Sequence, residues 1–190
     1  MITSRAFLVL LAVVAALGAA DATARYLRRA APTVSAGAPP DFLAEPFPVR
    51  PFAALDIDGR DVSMETWRGK VAIVNFWATW CLPCRREIPA LVSVQERYKD
   101  NLVVIGVLDD QAPLDFVRAF SATLRINYPV VRSTSEIEFS FAPVMVLPTT
   151  YVVDTAGQVV AVHGGEIDPA VLEREVRALV PIVPSVPVVP

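Results

Sequence analysis

The sequence predicts an α/β fold: a central mixed sheet flanked by helices, with an N-terminal β-hairpin extension. Three observations carry this. Two nearly unbroken apolar, β-prone runs at 71–77 and 102–108 are separated by a segment of helical period. Such strands are buried on both faces and run parallel through a helical crossover. Residues 149–153 and 158–163 then read as strands joined by Asp154-Thr155-Ala156-Gly157, an antiparallel pair. Last, Asp168-Pro169 is a capping side chain followed by a proline suited to the first helical position.

Composition bounds the rest. The chain has 190 residues, 54% hydrophobic and 19% charged, enough apolar material for one core plus outer segments. Net charge is −3 with no run of Lys and Arg, which argues against a nucleic-acid partner. The 17 prolines crowd residues 32–51 and 181–190. Only Cys81 and Cys84 are cysteines, and His163 is the only histidine. That count is too small for a disulfide framework or a closed zinc site.

Residues 6–20 are an unbroken apolar run after Arg5. At ~1.5 Å per residue the run spans roughly 22 Å, short of a ~30 Å hydrocarbon core. Small-x-small patterns follow at 20–22 and 22–24, so residues 1–24 read as a signal peptide or, alternatively, as a membrane anchor. Arg25, Arg28 and Arg29 on the exported side weigh against the anchor. Either way, a periplasmic or other extracytoplasmic location is expected, with residues 6–24 as the possible tether. Residues 25–45 read as a linker, 46–180 as the folded domain, and 181–190 as a Pro-rich tail.

Within the domain, Asp58-Gly59 between apolar stretches at 52–57 and 61–63 predicts a hairpin. Residues 64–67 predict one helical turn, ended by Gly69. Helical spacing over 85–98 comes from Ile88, Leu91, Val92, Val94 and Tyr98; Pro89 is expected to kink that helix. Residues 113–124 predict a second helix, 128–131 a short strand, and 169–180 a final helix stopped by Pro181.

Residues 74–89, VNFWATWCLPCRREIP, carry a specific resemblance. With PTTYVVD at 148–154, and DIDG at 56–59 leading to WRGK at 67–70, the chain resembles the TlpA/ResA-type thioredoxin-like thiol–disulfide oxidoreductases. The resemblance covers about residues 46–180 and implies a thioredoxin fold. It implies no cofactor. It implies electrons supplied by a membrane thiol–electron carrier and passed to a disulfide in a client protein, such as apocytochrome c or a copper-site protein. Bulky FAPVMVL at 141–147 departs from the glycines that the family often places there, and predicts a more apolar groove rim.

The chemistry fits the residues. Exchange is attack of a thiolate on a sulfur. Cys81 is expected at the strand-to-helix junction, where unpaired N–H groups and the helix dipole favour its thiolate. Cys84, one turn on, is expected to be the buried resolving thiol. Pro148 resembles the family's cis-proline, which with Leu147 would hold an incoming client strand; a trans proline at a strand edge is the plainer reading. Trp80 is a candidate client contact, and Trp77 packs nearby or in the core. Glu87 matches an acidic family residue able to relay the proton of Cys84; otherwise it is a solvated helix charge. Asn75 stands where thioredoxins proper carry a buried acid. His163 is expected on a strand away from the motif, a weak candidate for a copper site with the two cysteines.

Three other activities compete. A disulfide-forming oxidant shares the motif. A peroxiredoxin would need Pro and Thr where Val74 and Ala78 stand. A copper chaperone of this fold uses CxxxC and a nearby His, whereas residues 149–151 are Thr-Thr-Tyr.

Overall fold

A computed structural model describes residues 42–141 and 143–180. The segments read as signal peptide or anchor, most of the linker and the Pro-rich tail lie outside these residues. Among the described residues no helix is long and apolar enough to cross a membrane.

Six strands form the main sheet: β1 (Phe47–Pro48), β4 (Val71–Trp77), β5 (Leu102–Leu108), β6 (Val130–Arg132), β7 (Thr149–Val153) and β8 (Gln158–Gly164). Their order is β1-β8-β7-β4-β5-β6. The two apolar runs are the centre: β4 and β5 pair in parallel from Val71–Leu102 to Trp77–Leu108. All seven residues of β4 are buried, as expected of a strand covered on both faces. β7 joins β4 antiparallel, with Phe76 opposite Thr149, and β8 pairs antiparallel with β7. The mixed thioredoxin-like sheet predicted from the sequence is therefore present.

One face is covered by α2 (Leu82–Tyr98), α3 (Leu114–Thr123) and α5 (Pro169–Leu179). Ile88, Leu91, Val117, Leu172 and Val176 pack there on Ile73, Trp77 and Val104. The other face carries α1 (Met64–Trp67), α4 (Ser135–Ser140) and the hairpin of β2 (Ala53–Leu55) and β3 (Asp61–Ser63). Trp67, Ile137, Phe141 and Val62 pack there with Phe76 and Tyr151.

The hairpin turns through a longer loop than a two-residue Asp-Gly turn. Asp56 organises it, accepting from the backbone N–H groups of Asp58 and Arg60, both at 2.9 Å, and from Arg60 Nε at 2.7 Å. Gly59 supplies the left-handed residue, φ +83°. The loop docks on the sheet edge, where Asp56 bridges Val131.

Four elements differ from the sequence reading. Helix α2 begins at Leu82 rather than 85, because Cys81 caps it. The short strand is shifted to Val130–Arg132, leaving the Tyr128 ring buried ahead of it. Helix α4 and strand β1 were not anticipated. Six residues capped by Thr134, and two residues ending in proline, are too short to show a period.

Candidate redox site

The site stands at the end of β4. After Trp77 the chain turns through residues 78–80, with Thr79 N–H donating to Asp110 Oδ2 at 2.7 Å. Cys81 N–H donates to Ala78 O at 3.1 Å. Cys81 is then the N-cap of α2, with extended backbone (φ −79°, ψ 107°), and its Sγ accepts the Cys84 N–H at 3.2 Å. A sulfur here does the work of a capping oxygen, satisfying one of the unpaired donors of the helix start. Cys81 and Cys84 are joined by a disulfide, Cα atoms 5.3 Å apart. Cys84 is fully buried and Cys81 only 3% exposed.

Trp80 and Leu82 flank the disulfide at 72% and 60% exposed. Trp77 lies wholly in the core and stacks on Phe120, ring centroids 5.9 Å apart. The Leu147–Pro148 peptide bond is cis, so the trans alternative does not hold. Pro148 precedes Thr149, the partner of Phe76, so the proline loop lies at the same end of the sheet as the cysteines. The loop is tied down by Gly165 N–H to Pro148 O at 2.8 Å and by Thr149 Oγ1 to Val146 O at 2.6 Å. Met145 and Val146, in the bulky stretch before this proline, are exposed.

Glu87 is not a solvated helix charge. It is 2% exposed, and its carboxylate accepts from Asn75 Nδ2 at 2.6 Å and from the Ile167 N–H at 3.1 Å. Burial pushes its carboxyl up to about 7. The Ile167 and Asn75 donors oppose this, the Glu166 charge adds to it, and His163 pulls it back down. Asn75 also donates to Thr150 Oγ1 at 3.0 Å. The position that carries an acid in thioredoxins proper is here an amide that holds the acid of the next helix.

His163 is nearer the site than expected. Gly106, Asn75, Thr150 and His163 lie directly opposite one another across β5, β4, β7 and β8. Its Nε2 is 2.9 Å from Glu175 Oε2, and Glu175 is fully buried. Sequence reading passed over Glu175, although it falls in the stripe of Leu172, Val176 and Leu179, where a charge needs an explanation. Among the described residues no group of three or more His, Cys, Asp or Glu is arranged to hold a metal.

Known proteins place this arrangement. The profile of the AhpC/TSA family matches residues 43–162. The thioredoxin-like protein YneN of Bacillus subtilis is 34% identical over 126 residues, 65% of this chain and 74% of that protein. The thiol–disulfide oxidoreductase ResA of Geobacillus kaustophilus is 28% identical over 173 residues, 91% of this chain and 93% of that one. Among solved structures, a thiol:disulfide interchange protein of Chlorobium tepidum superposes with a TM-score of 0.67 at 34% identity. It covers 72% of this chain and 98% of its own. A DsbF homologue from Corynebacterium diphtheriae gives 0.68 at 26% identity, covering 75% and 94%. With a Cys-x-x-Cys disulfide capping a helix beside a cis-proline loop, the chain belongs to the AhpC/TSA family and is a ResA-type thioredoxin-like thiol–disulfide oxidoreductase.

Proposed function

We propose that the protein is an exported disulfide reductase. The observation that carries the direction of transfer is the pairing of a buried, sparsely solvated dithiol with a buried carboxyl one turn further along the same helix. Strong oxidants of this chemistry owe their potential to a stabilised reduced form. Here a single N–H faces the Cys81 sulfur, both sulfurs are withdrawn from water, and a carboxylate nearby opposes a second negative charge. The N–H favours the thiolate, but burial and the nearby carboxylate disfavour it and so favour giving electrons away.

In the proposed cycle the Cys81 thiolate attacks one sulfur of a client disulfide. A mixed disulfide forms, and the other client sulfur leaves as a thiolate. Cys84 gives its proton to Glu87 and attacks Cys81 Sγ, releasing the second client thiol. Two electrons have then left the dithiol, and the Cys81–Cys84 disulfide remains. A membrane thiol–electron carrier restores the dithiol. Trp80, Leu147 and Pro148 hold the client strand against the reacting sulfur. The names of the ResA and interchange relatives support the chemistry, and the apolar run at 6–20 supports export and tethering. Proteins whose cysteines must stay reduced outside the cytoplasm, such as apocytochrome c and copper-site proteins, are the expected clients.

Two measurements test this. With Cys84→Ala, the exported chain should trap a client on Cys81 as a mixed disulfide. The wild-type potential should lie well below the roughly −120 mV of a strong periplasmic oxidant. A value near that oxidant, or no trapped client together with no disulfide reduction, rejects the reading.

A further inference from the structure

The face of the sheet under α2 and α5 is apolar except for one row. Asn75 and Thr150 in that row are fully buried, and His163 ends it with its side chain 21% exposed. Two helices each drive a carboxylate onto the row. Glu87 of α2 sits on Asn75, and Glu175 of α5 sits on His163. Glu87, Asn75, Thr150, His163 and Glu175 thus form a polar belt across three strands, its buried end one helical turn from Cys84 and its other end at solvent.

Two buried acids on one apolar face are costly unless a positive charge offsets them. The groups facing Glu87 can be named. Asn75 comes from β4, Thr150 from β7, Glu166 and the Ile167 N–H from the loop before α5, and Tyr128 from the chain ahead of β6. Arg86, its neighbour on α2, is engaged outside by Glu166 at 2.6 Å. Facing His163 are Glu175 from α5 and Thr150 from β7. Of all these groups, only the imidazole of His163 can bring a positive charge onto the buried row.

We propose that His163, clamped by the buried carboxylate of Glu175, is a positioning residue of the redox site: its imidazolium is the counter-charge of the Glu87 carboxylate across the sheet. Charge on the ring and charge on Glu87 each favour the other, so a proton gained or lost at one site alters the other. A proton on His163 favours the ionised Glu87 that accepts the Cys84 proton, and a neutral ring makes that ionisation harder. The catalytic consequence rests on the role given above to Glu87; the coupling itself does not.

Carboxyl-carbon NMR titration of the oxidised protein tests the coupling directly, with the Glu87 signal assigned through Glu87→Gln. In wild type the Glu87 curve should be stretched, because each proton alters the other site. Two strand spacings put His163 about 10 Å from Asn75, which holds Glu87, and at an effective dielectric of ~20 a lone charge there is worth about one pH unit, an upper bound because Glu175 beside it carries the opposite charge. His163→Gln should therefore sharpen the Glu87 curve and raise its midpoint by up to about one unit. His163→Lys should hold the midpoint at or below wild type. An unmoved midpoint in folded His163→Gln overturns the inference. So does a simple one-step Glu87 curve in wild type, which needs no variant to fold. If the midpoint moves but the pH profile of disulfide reduction does not, the coupling stands and the role of Glu87 in deprotonating Cys84 falls.

Discussion

Replacing Glu87 by glutamine separates the cost of burying an acid from the value of its hydrogen bonds. Burial raises the Glu87 carboxyl from 4.5 to about 7. Between those values the folded protein holds one proton that the unfolded chain releases. Stability therefore falls as pH rises, by about 1.4 kcal/mol per pH unit. The contribution is fully present below about pH 4.5, is lost by about pH 7, and amounts to roughly 3 kcal/mol over the window. Glutamine cannot ionise, so the variant lacks this slope. It does lose something constant. One amide oxygen cannot accept from both Asn75 Nδ2 and the Ile167 N–H, which costs about 1–3 kcal/mol at every pH. Urea unfolding of oxidised wild type and Glu87→Gln at pH 5 and pH 8 measures the difference. The variant should gain roughly 2–3 kcal/mol on wild type between the two conditions, whatever its offset. An equal difference at both pH values would show that Glu87 is not a buried, proton-holding acid.

Other expectations follow from contacts away from that carboxyl. Trp80→Ala should leave stability within about 0.5 kcal/mol, since the ring is 72% exposed, yet lower kcat/KM for client reduction about tenfold if the ring contacts the client; unchanged kinetics remove Trp80 from the client surface. Gly106→Ala should destabilise by about 1–3 kcal/mol in urea, because a Cβ there would meet Trp77 Nε1 at 3.0 Å and Tyr128 Cε2 at 3.2 Å, both in buried rings. Asp56→Ala should cost about 1–3 kcal/mol and free the hairpin, read as faster amide exchange at Asp58 and Arg60. Burial pushes the Asp56 carboxyl up, but its bonds from Arg60 and Asp58 outweigh that and hold it low. Its contribution is therefore present above the unfolded value, near 3.8, and is lost as pH falls through the folded one, so the wild-type advantage should shrink in acid.

The elements legible in the sequence were those whose signal is local and long. Residues 71–77 and 102–108 read as buried strands because a seven-residue apolar run has few other homes, and the strands found there have those same bounds. The cysteines were legible because strand, motif and helix follow one another without a gap. What surrounds them was not. Position 87 follows from helical spacing, but its burial depends on Asn75, twelve residues earlier, and on the Ile167 backbone, eighty residues later. A backbone donor leaves no trace in side-chain identity. His163 looked remote for the same reason. Only the register of β4, β7 and β8 puts it in the row of Asn75, and register is a property of paired strands.

That row explains why the sheet tolerates polar residues so near its centre. Asn75 is two residues before Trp77 on a strand whose other members are apolar, and an unpaired buried amide would cost about 1–3 kcal/mol. Its donor is used twice, on Glu87 and on Thr150, which ties α2 to β4 and β4 to β7. Those two elements bring the parts of the site together: α2 is capped by Cys81 and carries Cys84, and β7 begins at the proline loop at the same end of the sheet. An apolar residue at 75 would remove the buried polar cost but leave Glu87 with the Ile167 N–H alone and α2 free to shift on the sheet. The polar row is therefore better understood as the means by which a buried acid, one helical turn from Cys84, is held in place on the sheet than as a defect in the core.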